Sequence, residues 1–99
     1  MSIHLTVNDR LRLATSPTTP PKSVASLSAD GDWRVRQAIA QRPDIPDNIL
    51  AQLSHDRRRT IRETVAKHPN VPVTILATLT HDIHKPIRYV AEQRMAHAR

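Results

Sequence analysis

Apolar and polar positions along the chain follow a pattern that returns every 26 residues. Aligned without gaps, residues 17–42, 43–68 and 69–94 are identical to one another in six columns. These columns are Pro17/Pro43/Pro69, Pro20/Pro46/Pro72, Ala25/Ala51/Ala77, Leu27/Leu53/Leu79, Asp30/Asp56/Asp82 and Arg36/Arg62/Arg88. The columns Val24/Leu50/Leu76, Val35/Ile61/Ile87 and Ile39/Val65/Ala91 stay apolar in every copy. Self-similarity at a fixed period is the sequence signature of a repeat architecture.

The spacing within each copy predicts two helices. Apolar residues three positions apart, such as Leu50 and Leu53, predict a short first helix. A proline opens each of these helices at its first residue, where proline is tolerated, and Thr19 is a candidate cap for the first one. A second helix with one apolar stripe follows a turn. The predicted first helices cover about 20–28, 46–54 and 72–80, and the second helices about 33–41, 59–67 and 85–95, with an unpaired second helix over 6–14.

The prolines at positions 43 and 69 also predict how one copy is joined to the next. Arg42 and His68 precede these prolines and are therefore disfavoured in the α region, so 43–45 and 69–71 should be extended corners. Neither helix of a copy can bury its apolar stripe alone, whereas stacked copies close a continuous core. We expect one domain over residues 1–99, with a half-repeat cap at 1–16 and a tail at 95–99.

The repeat resembles that of the leucine-rich repeat variant family, whose pattern is P-x-x-P-x-x-x-L-x-x-L-x-x-D-x-x-x-x-V-R-x-x-V-A. The matching residues of the third copy are Pro69, Pro72, Leu76, Leu79, Asp82, Ile87, Arg88 and Ala91. The resemblance covers roughly residues 10–94, and the Asp-x₅-Arg spacing is also similar to HEAT-like repeats. It implies an all-α, right-handed α-solenoid, here of about three and a half 26-residue two-helix repeats. The family has no single activity, so the resemblance implies architecture far more than function.

Composition narrows the function classes. The chain has no cysteine, which excludes thiolate metal sites and cysteine nucleophiles. Some members of that family carry a cysteine-rich iron–sulfur domain, and this part of the resemblance cannot be carried over to the present sequence. Its single glycine leaves no glycine-rich phosphate loop. Neither a signal peptide nor a membrane-spanning run is recognisable, so we expect a cytoplasmic protein. We also expect no cofactor. The formal net charge of +6 predicts an anionic partner.

The recurring Asp-x₅-Arg pairs have two interpretations, namely three binding clamps or a structural ladder. Recurrence at one structural position favours the ladder, in which each aspartate accepts hydrogen bonds near the start of a second helix and each arginine reaches an aspartate of its own or a neighbouring layer. The predicted ladder residues are Asp30, Arg36, Asp56, Arg62, Asp82 and Arg88.

Much of the remaining positive charge lies in the turns between the two helices. The predicted partner-binding residues, here called the basic rim, are Trp33, Arg34, Arg57, Arg58, Arg59 and Lys85. The alternative is an ordinary solvated loop, and Trp33 could serve as a stacking residue, an interface residue or a cap over the first layer. A weaker second basic zone is predicted at the other edge of the stack, from Arg10, Arg12, Arg42, Lys67 and Arg94.

No catalytic constellation stands out. His81 and His84 have helical spacing beside Asp82, but the sequence places no further ligand near them, so we predict no metal site. Serine, histidine and aspartate, the residue types of a catalytic triad, follow one another at 54–56. Residues that are adjacent in sequence cannot adopt the geometry that a triad requires. We therefore expect a non-enzymatic scaffold that binds an acidic protein surface, with sequence-nonspecific binding of nucleic-acid backbone as the alternative. Self-association through the solenoid ends is a further expectation.

Overall fold

The protein is a row of short helices in the computed structural model, which describes residues 4–98. In chain order the helices are α1 (Val7–Thr15), α2 (Pro21–Leu27), α3 (Trp33–Ala40), α4 (Asp47–Leu53), α5 (Arg59–Lys67), α6 (Val73–Leu79) and α7 (Lys85–Ala96). No β-strand occurs in the described range, and the all-α prediction is confirmed. Positions 1–3 of the predicted cap and position 99 of the predicted tail lie outside that range.

The short helices α2, α4 and α6 are seven residues long, and their first residues are 26 positions apart. Each begins one residue later than predicted, because the proline before it is the N-cap rather than the first helical residue. Pro20, for example, has an extended ψ of 151°, and its carbonyl accepts the first helical hydrogen bond from Val24 at 3.1 Å. The expected capping by Thr19 is wrong, since its hydroxyl donates to the Leu13 carbonyl at 2.5 Å.

The longer helices form the continuous part of the structure. Helix α1 packs on α3, α3 on α5 and α5 on α7, while α2, α4 and α6 each contact the longer helix that follows them. The resulting molecule is elongated, with extents of 50 × 25 × 16 Å. None of the helices in residues 4–98 combines the length and the apolar character needed to cross a bilayer.

The core consists of the same repeat columns in each layer. Val35, Ile61 and Ile87 have no exposed surface, and the leucines of α4 and α6 are at least 98 % buried. Small residues complete the packing, because Ala14, Ala40 and Ala66 are also fully buried where successive longer helices meet. The turns between a short and a long helix occupy the same repeat columns in successive layers, and we call the edge that they form the turn edge.

Candidate partner-binding surface

Ion pairs at the turn edge join each layer to the next. Each of three arginines donates its Nε to an aspartate 20 residues further along the chain, which lies in the following layer. The pairs are Arg10 to Asp30 at 2.7 Å, Arg36 to Asp56 at 2.8 Å and Arg62 to Asp82 at 2.8 Å. The Nη2 atoms of the same arginines lie 3.3 to 3.4 Å from the second carboxylate oxygen, which makes each pair two-pronged.

A second hydrogen bond fixes the direction of these arginines. The Nη1 of Arg36 donates to the Asp30 carbonyl at 2.7 Å, and Arg62 and Arg88 repeat this contact six residues back at 2.8 Å. Arg88 has no aspartate partner among residues 4–98, so it ends the row. The charges of the inner arginines, Arg36 and Arg62, are therefore neutralised by aspartates of the protein itself. Arg36, the most buried of them, is only 5 % exposed.

The aspartates of the row also shape the turns. Asp30 accepts the backbone N–H two residues later at 2.9 Å, and Asp56 and Asp82 do the same. These bonds bring the chain from the end of a short helix into the start of the next long one. Burial raises the pKa of Asp82, but the bonds from Arg62 and from the His84 backbone outweigh it and leave the pKa below its usual value.

A second row of side chains lies at the other end of the long helices, and the sequence reasoning did not identify it. Arg42 donates to the Ala14 and Ser16 carbonyls, and Arg94 donates to two carbonyls of the preceding layer in the same way. His68 occupies the equivalent position in the middle layer, where its Nε2 lies 2.7 Å from the Arg42 carbonyl. The signal was present, since these three residues share one repeat column.

The structure contradicts the predicted place of Arg10 in the second basic zone, and the other four residues of that zone make local contacts. Arg42 is 6 % exposed and pairs with Asp44, and Arg10 belongs to the row at the turn edge. Arg12 pairs with Asp9, and Lys67 lies 3.6 Å from Glu63. Positive charge at that edge is mostly compensated by carboxylates or used to hold backbone carbonyls.

The residues of the basic rim share one edge of the protein, and two of them, Trp33 and Arg58, are in direct contact. All six of these residues are exposed at the turn edge. Trp33, Arg59 and Lys85 are the first residues of the three long helices that follow the turns. The Arg58 guanidinium lies 3.8 Å from the centroid of the Trp33 ring and covers one face of the indole.

Arg34 differs from the rest of the basic rim because it is neutralised locally. Its Nη2 and Nε lie 2.8 and 3.0 Å from the two carboxylate oxygens of Asp32, whose side chain also caps α3 by accepting the Arg34 N–H. The side-chain bonds and then the backbone bond from Arg34 lower the pKa of Asp32 to about 2. Asp32 was missed in the sequence, although an aspartate directly before a predicted helix is a typical cap.

Positive charge without a carboxylate partner is concentrated in the middle turn. Among residues 4–98, Arg57, Arg58 and Arg59 make no ion pair, and Lys85 follows in the next turn. Beside Lys85 lies Ile83, which is 91 % exposed and occupies the repeat column of Arg57. The surface thus combines adjacent free cations with exposed apolar groups at both sides, Trp33 and Ile83.

Two grooves open at this surface. One of about 240 Å³ is lined by Gly31, Trp33, Arg36, Arg57 and Arg58, and we call it the Gly31 groove. A neighbouring groove of about 410 Å³ shares three of these residues and continues toward the ends of α2 and α4. A further groove, near Arg42 and Asp44, lies at the opposite end of α3, where the arginine is already engaged.

The two histidines of the considered metal pair, His81 and His84, differ in what contacts them. The Nδ1 of His81 lies 3.3 Å from the Ala77 carbonyl, and the backbone N–H of His84 donates to Asp82. Within the described part of the chain, no three or more of the residue types that bind metals lie together closely enough to hold an ion.

Comparison with known proteins yields one finding. The model of the family described as leucine rich repeat variant matches residues 33–58, which run from the start of α3 through α4 to the turn before α5. Comparisons with curated proteins and with solved structures gave no match. The matched segment has the length of one predicted repeat and contains the pair Arg36–Asp56. The resemblance to the leucine rich repeat variant family is therefore confirmed over residues 33–58, and the all-helical structure is compatible with a helical repeat.

Proposed function

We propose that the protein is a non-enzymatic adaptor that binds an acidic segment of a partner protein through the basic rim. It is a right-handed solenoid in this proposal, with repeats at 17–42, 43–68 and 69–94 and a cap and a tail at its two ends. The Arg–Asp row serves as the structural ladder between these layers. The observation that carries the proposal is the run Arg57–Arg59, which faces solvent without a carboxylate while seven ion pairs occupy most other charges of the described residues.

The composition of this surface supports a protein partner over nucleic acid. Interface hot spots are enriched in tryptophan and arginine, and here the two are stacked on each other. Ile83 gains from burial against a partner's apolar side chain, whereas a phosphate backbone offers it nothing. One face of Trp33 is already covered by Arg58, which leaves less of the ring for base stacking than a free indole would offer.

The test is fluorescence anisotropy with two labelled probes, a short peptide of glutamates interrupted by leucines and a random-sequence DNA duplex. We expect the peptide to bind and the triple variant Arg57→Glu/Arg58→Glu/Arg59→Glu to lose it. The matched control is Arg12→Glu/Lys22→Glu/Lys67→Glu, which changes the net charge equally at exposed positions away from the basic rim and should retain most of the binding.

The outcomes separate the two partner classes. Equal loss in both triple variants would mean that net charge and not the basic rim attracts the peptide. Tighter binding of the duplex, with an affinity that falls steeply with salt, would establish the nucleic-acid alternative instead. Far-UV circular dichroism of each variant shows whether the helices are retained.

A further inference from the structure

The only glycine of the chain lies where the equivalent turns carry large side chains. Gly31 shares its repeat column with Arg57 and Ile83. Its backbone does not require glycine, since its φ is not positive, and a Cβ atom added there would meet nothing within 4 Å. Neither backbone strain nor crowding accounts for the absent side chain. What the glycine does produce is open space beside Trp33, and this space is the Gly31 groove.

Three of the five residues that line the Gly31 groove are arginines. Arg57 and Arg58 reach it from the next layer without a carboxylate of their own in residues 4–98, and Arg58 is held against the Trp33 ring. Arg36 lies at the base, where the ladder contacts with Asp56 and the Asp30 carbonyl fix its guanidinium. The two carboxylates that border the neighbouring groove, Asp30 and Asp56, are already bound by arginines.

We propose that the Gly31 groove receives a carboxylate side chain of the partner, which pairs with Arg57 and Arg58 while the rest of the acidic segment runs along the basic rim. This inference rests on the proposed function and specifies where on the basic rim the partner is inserted most deeply. The volume of the groove, about 240 Å³, is several times the volume of about 30 Å³ that a water molecule occupies in the liquid. The groove therefore has room for one acidic side chain. Partial exclusion of water strengthens the ion pair relative to one on the open surface.

Gly31→Ile tests this directly because it adds the side chain that the third turn already carries. The groove is filled without a change of charge, and the exposed position with open space around it should accept isoleucine without loss of the fold. We expect the affinity for the glutamate–leucine peptide to fall about tenfold, or about 1.4 kcal/mol. Gly31→Ala is the control, which occupies little of the groove and should bind as the parent does.

Trp33 provides an independent readout in the unmodified chain because it is the only tryptophan. A carboxylate in the Gly31 groove lies against the indole and should change its emission on titration with the peptide. An emission spectrum that stays constant while anisotropy reports binding would place the peptide elsewhere and overturn the inference. Tighter binding of a phosphoserine version of the peptide would overturn the assignment of a carboxylate.

The failure of this inference is distinguishable from that of the proposed function. If Gly31→Ile binds like the parent while the triple glutamate variant of Arg57–Arg59 does not, the groove is irrelevant and the basic rim remains the binding surface. If both variants bind like the parent, the basic rim itself is not the interface. Thermal unfolding of each variant shows that the comparison is made between folded proteins.

Discussion

Replacing Arg36 by methionine probes the contribution of the ladder to stability. The side chains of Arg36 and Asp56 are only 6 % and 7 % exposed, and their ion pair links the first complete layer to the second. Methionine keeps the length and the apolar stem but removes the charge and all three hydrogen bonds. Asp56 is then left buried with only the Arg58 N–H, and the Asp30 carbonyl loses a donor.

The magnitude follows from this burial. Two charges about 4 Å apart attract by about 4 kcal/mol at an effective dielectric constant of about 20, but the cost of desolvation offsets much of it. Removing one partner leaves the cost for the other uncompensated, so breaking a buried pair destabilises by about 3–5 kcal/mol. We expect Arg36→Met to lie in this range. Arg12→Ala, which removes an exposed pair, should cost less than about 1 kcal/mol.

Urea unfolding followed by far-UV circular dichroism measures both values. The double variant Arg36→Met/Asp56→Asn completes a cycle and should be more stable than the sum of the single losses predicts, because it no longer buries an unpaired charge. Arg88→Met should cost less than Arg36→Met, since Arg88 has no aspartate partner in the described residues. A loss for Arg36→Met no larger than that for Arg12→Ala would refute the ladder as a source of stability.

Two further predictions concern the two ends of the long helices. His68→Ala should destabilise by about 1–3 kcal/mol in thermal unfolding, because the Arg42 carbonyl and the Asn70 N–H both lose a buried partner; a change below about 0.5 kcal/mol, the value expected for an exposed site, would contradict it. In a carboxyl NMR titration, Asp32 should titrate near pH 2, so its pairing with Arg34 holds above that pH and is lost as pH falls through it. Arg34→Gln should return the Asp32 midpoint toward 3.8, and an unchanged midpoint would rule out this arginine as the cause.

The repeat pattern predicted the helices well because each copy has the same spacing of prolines and apolar residues. Identical columns located the long helices to within a residue or two, as for Trp33–Ala40 against the predicted 33–41. The starts of the short helices were placed one residue early, because proline at the N-cap and proline at the first helical residue give the same sequence signal. Only the backbone torsions distinguish them.

The surface was less predictable than the fold. Whether an arginine is free depends on which carboxylates and backbone carbonyls lie within reach of it. These partners can be far away in the sequence: Arg42 and the Ala14 carbonyl, for example, are 28 residues apart. Arg34 looked like a free cation until the structure placed Asp32 against it. The exposure of Ile83 and the space beside Gly31 result from the stacking of turns, which the sequence indicates only as a shared column.

The most direct test of the proposed function is to locate the acidic segment on the surface of the protein. Two-dimensional NMR of labelled protein, titrated with the glutamate–leucine peptide, maps the contact residue by residue. We expect the largest shifts at 31–33 and 57–59, smaller ones at 83–85, and no shifts around Arg42 and Asp44. Shifts centred on Arg42 and Asp44, with the middle turn unaffected, would contradict the proposed function.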